Sequence, residues 1–215
     1  MESVLPKTAF PLFGIPVRDT VVSTWIMMGL IIVTVLVIRR AFPSALEKLI
    51  EFLASTVSDA MGRPAAPYLP FLGTLAIFVA VANIIGVVPV VTTPTRDINT
   101  PAALAITVFF AVHYFGIRQK GVLRYLKDLA SPIYLAPLTL PLELFGQLSR
   151  TLSLTLRLFG NVLSGEMIVA VIFSLVPLIA PLPLTGLSMF TGLLQAYIFT
   201  SLAAVFIGAG VQANE

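Results

Sequence analysis

The sequence contains no cysteine, only one histidine and few charged residues. Without cysteine the chain can form no disulfide bond, thiol nucleophile or cysteine-based metal site. A single histidine, His113, argues against a histidine-rich metal site. Only 11% of the 215 residues are charged and 58% are hydrophobic, whereas a soluble domain needs far more charge to cover its surface. The composition therefore predicts a protein embedded in a membrane.

Several functional motifs are also missing from the sequence. No Gly-x-x-x-x-Gly-Lys-Ser/Thr loop occurs, so nucleotide chemistry would fall to partners. The basic residues lie in short patches beside apolar runs, which is typical of topology signals and not of nucleic-acid binding. The first 20 residues lack a basic start followed by a continuous apolar run, so we expect no cleavable signal peptide.

The apolar segments predict an all-α integral membrane protein with five transmembrane helices, because about 20 apolar residues span a bilayer. A single membrane domain would comprise an extracytoplasmic segment (1–20), a first span (21–40), an amphipathic surface helix (43–68), a second and third span (71–116, near 71–91 and 102–116), a connector (117–131) and a helical hairpin (132–211). The hairpin helices would run from Pro137 or Pro141 to Val176 and from Leu184 to Val211. The first would be about 50–60 Å long, so it must tilt steeply or extend beyond the hydrocarbon.

Lysine and arginine are concentrated after the first and the third predicted span. Short loops rich in these residues stay in the cytoplasm. With five spans, this bias predicts an N-terminus outside and a C-terminus in the cytoplasm.

A polar stripe follows the first hairpin helix. Glu143, Arg150 and Arg157 are spaced by seven residues, a rotation of about 700°, so all three lie near one face. The same stripe includes Gln147, Asn161 and Ser164. Lipid cannot solvate such a face cheaply, so we expect the stripe to face protein or water.

Arg157 is the most unusual residue of the stripe, because a guanidinium keeps its proton and costs at least a few kcal/mol near the bilayer centre. It suits an electrostatic separator that repels a passing cation or pairs with a transient carboxylate. Glu143 and Glu166 can instead bind and release an ion. Glu166 follows Arg157 by nine residues, about 180° around the helix, which indicates a second polar environment.

Structural roles are the alternatives for these residues. An intramembrane arginine can be a structural ion-pair partner, Glu143 and Arg150 could form an internal bridge, and Arg150 could extend to the interface. Asn161 and Gln195 could simply form interhelical hydrogen bonds. We expect His113, at the end of the third span, to be an interfacial residue and not a ligand or catalytic base.

Four stretches resemble the a subunit of the rotary ATP synthase, in its bacterial type. They are Ser-Leu-Thr-Leu-Arg-Leu-Phe-Gly-Asn (153–161), Gly-Glu (165–166), Leu-Gln-Ala-Tyr-Ile-Phe (194–199) and Asn-Ile-Ile-Gly-Val-Val-Pro (83–89), the last matching an Asn-x-x-Gly-x-x-Pro pattern. They lie in the family's order and cover the chain from Asn83 onward, whereas the first 80 or so residues match more loosely.

The resemblance implies an ion-translocating subunit of the Fo sector, not an enzyme on its own and without a cofactor. Its partners would be a rotating ring of c subunits, b-type peripheral stalk subunits, the F1 catalytic sector indirectly, and the lipid bilayer of the bacterial inner membrane. The family arginine, here Arg157, faces the ring and separates two offset half-channels. The coupling ion would be a proton or sodium, and ion flow would drive rotation and ATP synthesis.

The remaining family positions map onto individual residues. Glu166 matches the acidic residue of the outer half-channel, and Glu143 matches an acidic position on the cytoplasmic side. Asn161 and Gln195 match polar positions near the arginine. Some relatives carry an ionisable residue seven before the final-helix glutamine, where this chain has Ser188, which cannot titrate near neutral pH. Glu166 would then act alone or with water and Ser188.

Three other classes compete with this interpretation. A secondary transporter or channel for a small solute or ion predicts an internal repeat and broken helices, and neither is evident in the sequence. An intramembrane hydrolase would need a Ser/His pair, but the only histidine is at an interface and no Gly-x-Ser-x-Gly elbow occurs. A structural scaffold would leave Arg157 and Glu166 without purpose.

Overall fold

The computed structural model describes residues 8–12, 15–87, 93–129, 136–175 and 181–212. A short antiparallel hairpin of β1 (Thr8–Leu12) and β2 (Ile15–Arg18) is followed by helices α1 (Asp19–Ala41), α2 (Pro43–Met61), α3 (Leu69–Ile84), α4 (Asn99–Lys120), α5 (Val122–Leu129), α6 (Ala136–Leu175) and α7 (Pro181–Val211). Short 3₁₀ turns occupy Ile85–Val87 and Pro94–Arg96. The predicted all-α membrane fold is confirmed, and the N-terminal hairpin is a small addition that the sequence did not predict.

Four of these helices, α1, α4, α6 and α7, are long and apolar enough to cross a membrane. The prediction of a second span reaching residue 91 does not match the helix that forms there. α3 has only 16 residues and gives way to the Ile85–Val87 turn, while residues 88–92 lie outside the described part of the chain. α3 is therefore a shorter apolar helix beside the four long ones.

The amphipathic helix α2 ends earlier than expected. Its buried side chains Leu53, Val57 and Met61 recur every four residues and pack on the core, which is why this helix lies against the bundle. Gly62 adopts φ 63°, and its N–H donates to the Ser58 carbonyl, closing the helix with a left-handed cap. The predicted 43–68 segment is therefore a helix to Met61 followed by a loop.

The core forms around α7, which packs against α2, α3, α4 and α6. Phe199, Ala203 and Ile207 of α7 are fully buried, and they meet buried residues such as Leu72 of α3 and Leu158 of α6. Small residues on α7 let the neighbouring helices approach closely, as membrane helix packing favours. This packing fixes α6 beside α7, and α6 contains the polar stripe.

α6 has 40 residues, so it is about 60 Å long and exceeds the thickness of a bilayer. Pro141 lies inside it, and Pro183 lies in the first turn of α7, where a missing N–H leaves no hydrogen bond unmade. α6 and α7 contact each other along their length as the hairpin that the sequence predicts.

Candidate functional site

The polar stripe on α6 is held together at its N-terminal end by local contacts. Arg150 Nη1 lies 4.0 Å from Glu143 Oε1, and Gln147 Nε2 donates to the same carboxylate at 3.4 Å. The Arg150 guanidinium also stacks over the Phe206 ring, 5.6 Å from its centroid. The internal bridge considered from the seven-residue spacing is thus present, and Arg150 has structural contacts on two sides.

A cavity of about 500 Å³ opens beside Glu143, between α4, α5, α6 and α7. Its polar lining comprises His113, Lys120, Tyr125, Asp128, Thr139, Glu143, Gln147, Arg150, Thr151 and Gln212. Lys120 Nζ pairs with Asp128 Oδ2 at 2.9 Å within this lining. Such a space is large enough to hold several waters among polar partners. We call it the Glu143 cavity.

Two aromatic residues of the Glu143 cavity were not assigned to a site from the sequence. His113 is half-buried, and its Nδ1 lies 2.8 Å from the Phe109 carbonyl, so the ring lines the cavity and is not purely interfacial. Tyr125 is buried on α5, outside the candidate spans. Burial raises the pKa of the Tyr125 phenol above its ordinary value, and the nearby Glu143 charge raises it further.

Arg157 lies on the outward face of α6. Its side chain is exposed, whereas Leu154 and Leu158 on either side of it are buried against α7 and the core. Within the described ranges Arg157 makes no hydrogen bond or ion pair, in contrast to Arg150. An unpaired guanidinium on an outward helix face is expensive in lipid, so this surface is suited to meeting a polar or charged partner.

Gln195 stands at the level of Arg157 on the neighbouring helix. Asn161 Nδ2 donates to the Thr191 carbonyl at 3.5 Å, and α6 and α7 are antiparallel. Arg157 lies four residues before Asn161 on α6, and Gln195 lies four residues after Thr191 on α7. In an antiparallel pair these two steps run in the same direction, so Arg157 and Gln195 lie at the same level. Gln195 is only 5% exposed, and its Nε2 has no hydrogen-bond partner among the described residues.

A second cavity, of about 550 Å³, lies at the other end of α6, between α3, α6 and α7. Its polar lining comprises Asn83, Thr93, Asn161, Glu166, Thr185, Ser188 and Thr191. Glu166, Asn161, Ser188 and Asn83, all predicted site residues, are thus brought together in one space. We call it the Glu166 cavity.

Asn83 joins three elements at the wall of the Glu166 cavity. Its Nδ2 donates to the Gly192 carbonyl at 2.9 Å, and its Oδ1 accepts from Thr95 Oγ1 at 3.2 Å. A Cβ on Gly192 would lie 2.9 Å from Asn83 Cβ, so only glycine lets α3 and α7 approach this closely. These bonds fix the Pro94–Arg96 turn to the helix pair.

Arg96 is the residue of this region that the sequence analysis did not select. Its Nε lies 3.2 Å from Glu166 Oε2, and the two side chains are 28% and 35% exposed. The geometry suits an ion pair, although Arg96 Nε makes no well-directed hydrogen bond. Seventy residues separate the partners, so no helical periodicity could have linked them.

The two cavities lie on opposite sides of Arg157 along α6. Glu143 precedes Arg157 by fourteen residues and Glu166 follows it by nine, which correspond to about 21 Å and about 14 Å along the axis. The cavities share no lining residue. In the described ranges no three His, Asp or Glu residues come together as a metal site would require.

Comparison with known proteins places residues 21–208 in the family model described as ATP synthase A chain. "ATP synthase subunit a 2" of Bradyrhizobium sp. is 46% identical over 216 residues, covering 96% of both chains. "ATP synthase subunit a 2" of Acaryochloris marina is 39% identical and covers 97% of this chain and 92% of its own. "ATP synthase subunit a" of Legionella pneumophila is 37% identical and covers 100% and 95%, respectively.

Proposed function

The chain belongs to the ATP synthase A chain family, and from this premise we propose that Arg157 is a fixed positive barrier between two ion paths through the Fo sector. The protein is a non-catalytic, ion-translocating membrane subunit of the ATP synthase complex. Membership over residues 21–208 sets aside the solute transporter as an alternative.

One observation supports it above the others: two polar cavities without a common lining residue lie at the two ends of α6, with an exposed, unpaired arginine between them. Among the described residues of this chain, Arg157 has no hydrogen-bond or ion-pair partner. A continuous channel would let ions cross without doing work, whereas two separated paths force them through an intermediate carrier. A carboxylate on a neighbouring subunit would serve as that carrier.

In this mechanism the neighbour is a ring of c subunits that docks on the Arg157 face of α6. A ring carboxylate releases its ion into one cavity, passes Arg157 as an anion, and takes up an ion from the other cavity. The guanidinium stabilises the anion and repels a free cation, and it keeps its own proton throughout. Gln195, at the same level, supplies an amide that can orient either charged group.

The two carboxylates of α6 mark the two paths. Glu166, with Asn161, Ser188 and Asn83 in the same cavity, would serve the outer path. Glu143, with Gln147 and Arg150 nearby, would serve the cytoplasmic path. Ser188 cannot titrate near neutral pH, so it would act by hydrogen bonding to water. The position of the Glu166 cavity beside Ser188 supports a joint role.

The surrounding assembly follows from the same proposal. The subunit would lie in the bacterial inner membrane with its N-terminus outside and its C-terminus in the cytoplasm, beside b-type stalk subunits. One elementary charge crossing 100 mV releases about 2.3 kcal/mol. Several ions must therefore pass for each ATP, as a rotor with many sites allows. The coupling ion would be a proton or sodium.

Substitution of the arginine tests the proposal in the reconstituted complex. Arg157→Ala should abolish coupled ATP synthesis under an imposed ion gradient, while ATP hydrolysis by the catalytic sector continues once it is detached. Arg118→Ala is the matched control, because Arg118 is exposed near the end of α4 and, among the described residues, its one side-chain hydrogen bond is to Tyr114. Normal coupled synthesis by the Arg157 variant would refute the assigned role.

A further inference from the structure

The Pro94–Arg96 turn presents one cationic side chain to the Glu166 cavity. Thr93, Thr95 and Asp97 are buried around it, with Thr95 fully inaccessible, whereas Arg96 reaches the Glu166 carboxylate at 3.2 Å. This pattern buries the neighbours of Arg96 in the protein and directs Arg96 itself to Glu166. The two proposed ion paths do not use this residue.

The turn is fixed to three other elements, so the position of Arg96 is not that of a loose loop. Thr95 Oγ1 donates to Asn83 of α3, and Thr20 Oγ1 of α1 donates to Asp97 Oδ2 at 3.2 Å. The backbone N–H of Asn99, the first residue of α4, donates to Asp97 Oδ1 at 3.2 Å. Thr93 also packs so closely on Gly86 that a Cβ there would collide with its hydroxyl.

The charges of this contact bear on which ions can enter the Glu166 cavity. Glu166 is the one ionisable side chain among the described residues that line its cavity, and Arg96 approaches it from outside that lining. The pair leaves the cavity with little net charge. An ion that enters it meets a carboxylate already engaged by a guanidinium, which cannot give up its proton.

We propose that Arg96 is a positioning residue for Glu166: it holds the carboxylate at the cavity wall and offsets its charge, so that Glu166 attracts an incoming ion less strongly than an unpaired carboxylate would. The inference rests on the proposed role of Glu166 in the outer path. Both side chains are about one-third exposed, so water can enter and the pair can open without a large rearrangement. Arg96 would thus set how readily the outer path accepts an ion.

The absence of cysteine allows a direct test of the charge in the cavity. Ser188→Cys places a single thiol on the cavity wall, and the whole ATP synthase complex is reconstituted in liposomes at low salt. The measured quantity is the ratio of labelling rates for a cationic and an anionic thiol reagent of equal size. A unit charge about 8 Å away in a water-like medium changes each rate a little more than twofold, in opposite directions.

Arg96→Gln should therefore raise the cationic-to-anionic ratio about fivefold, because Glu166 is left unpaired. Glu166→Gln should lower the ratio by a similar factor, because Arg96 is then the unpaired charge. Arg96→Lys should leave the ratio within twofold of that of the parent, and Arg118→Gln is the remote control. Ratios that stay unchanged in both Gln variants would overturn the inference, whether or not one of them assembles poorly.

A second measurement asks whether the two residues act as a unit. ATP-driven ion pumping is compared for Arg96→Gln, Glu166→Gln and the double variant, with Arg96→Lys as the conservative rescue. We expect the double variant to pump ions at least as fast as the slower of the two single variants. We expect Arg96→Lys to retain at least half of the parent pumping rate. Independent, multiplicative losses without rescue by Lys would contradict the inference. The labelling ratio does not depend on the coupling of ion flow to ATP synthesis. Normal synthesis by Arg157→Ala would therefore refute the role of Arg157 as a barrier, whereas the labelling ratio tests the Arg96–Glu166 ion pair independently.

Discussion

If Arg157 repels free cations between the two cavities, its neutralisation should open a leak. The perturbation is Arg157→Gln, which keeps a long polar side chain and removes the charge. Arg157 stands about 14 Å along α6 from Glu166 and about 21 Å from Glu143, so an ion that crosses between the cavities must pass its level. The variant removes repulsion at that point alone.

The size of the leak follows from Coulomb's law. A cation that passes about 6 Å from the guanidinium at an effective dielectric constant of about 20 is repelled by about 2.8 kcal/mol. Each 1.4 kcal/mol corresponds to a factor of ten, so the passive ion flux should rise about 100-fold. Glu143 and Arg150 partly neutralise each other, so they add little to this difference.

Passive flux is measured in liposomes that contain the membrane sector, with a potassium diffusion potential as the driving force. Arg157→Lys is the matched control, because it retains one positive charge and should leak less than tenfold more than the parent. Assembly with the other membrane subunits is checked by their content in the purified sector. A flux that is unchanged in an assembled Arg157→Gln sector, or an equal leak in the Lys variant, would refute repulsion by the fixed charge.

Two further predictions concern packing and titration. Gly192→Ala places a methyl group 2.9 Å from Asn83 Cβ. It should destabilise the subunit by about 1–3 kcal/mol, which would lower its unfolding temperature in detergent. Gly29→Ala is the control, because its methyl group meets open space, and equal unfolding temperatures for the two variants would argue against the close α3–α7 contact. Because burial raises the pKa of Tyr125 above its ordinary 10.0, the folded protein favours the protonated phenol, so Tyr125→Phe should leave the pH dependence of ion pumping between pH 6 and 9 unchanged. A shifted profile would mean that the phenol exchanges the translocated proton.

The spacing of residues within single helices accounts for the contacts that could be predicted from the sequence. The seven-residue spacing on α6 led to the Glu143–Arg150 contact. The ends of the helices were harder to predict from the sequence. α2 ends at Met61 because Gly62 adopts a left-handed conformation, and the apolar composition beyond Ile84 did not reveal that α3 gives way to a 3₁₀ turn.

Contacts between distant segments explain what the sequence could not supply. Arg96 lies in a polar turn that the hydropathy pattern identifies only as a connector, and its pairing with Glu166 depends on how α1, α3 and α4 hold that turn. The Glu143 cavity likewise gathers His113 and Tyr125 from separate helices. Such sites depend on helix packing, and the spacing of residues within one helix carries no information about them.

Helix geometry nevertheless limits how an ion can move from Glu166 to the Arg157 face. Nine residues place these side chains on opposite faces of α6, so a path along a single face cannot join them. Asn161 follows Arg157 by four residues, which places it about 40° around the helix from Arg157. It precedes Glu166 by five residues, a rotation of about 140°. It lines the Glu166 cavity and contacts the Thr191 carbonyl at 3.5 Å. An outer path would therefore turn around α6 past Asn161, beside Ser188 in the lining of the Glu166 cavity.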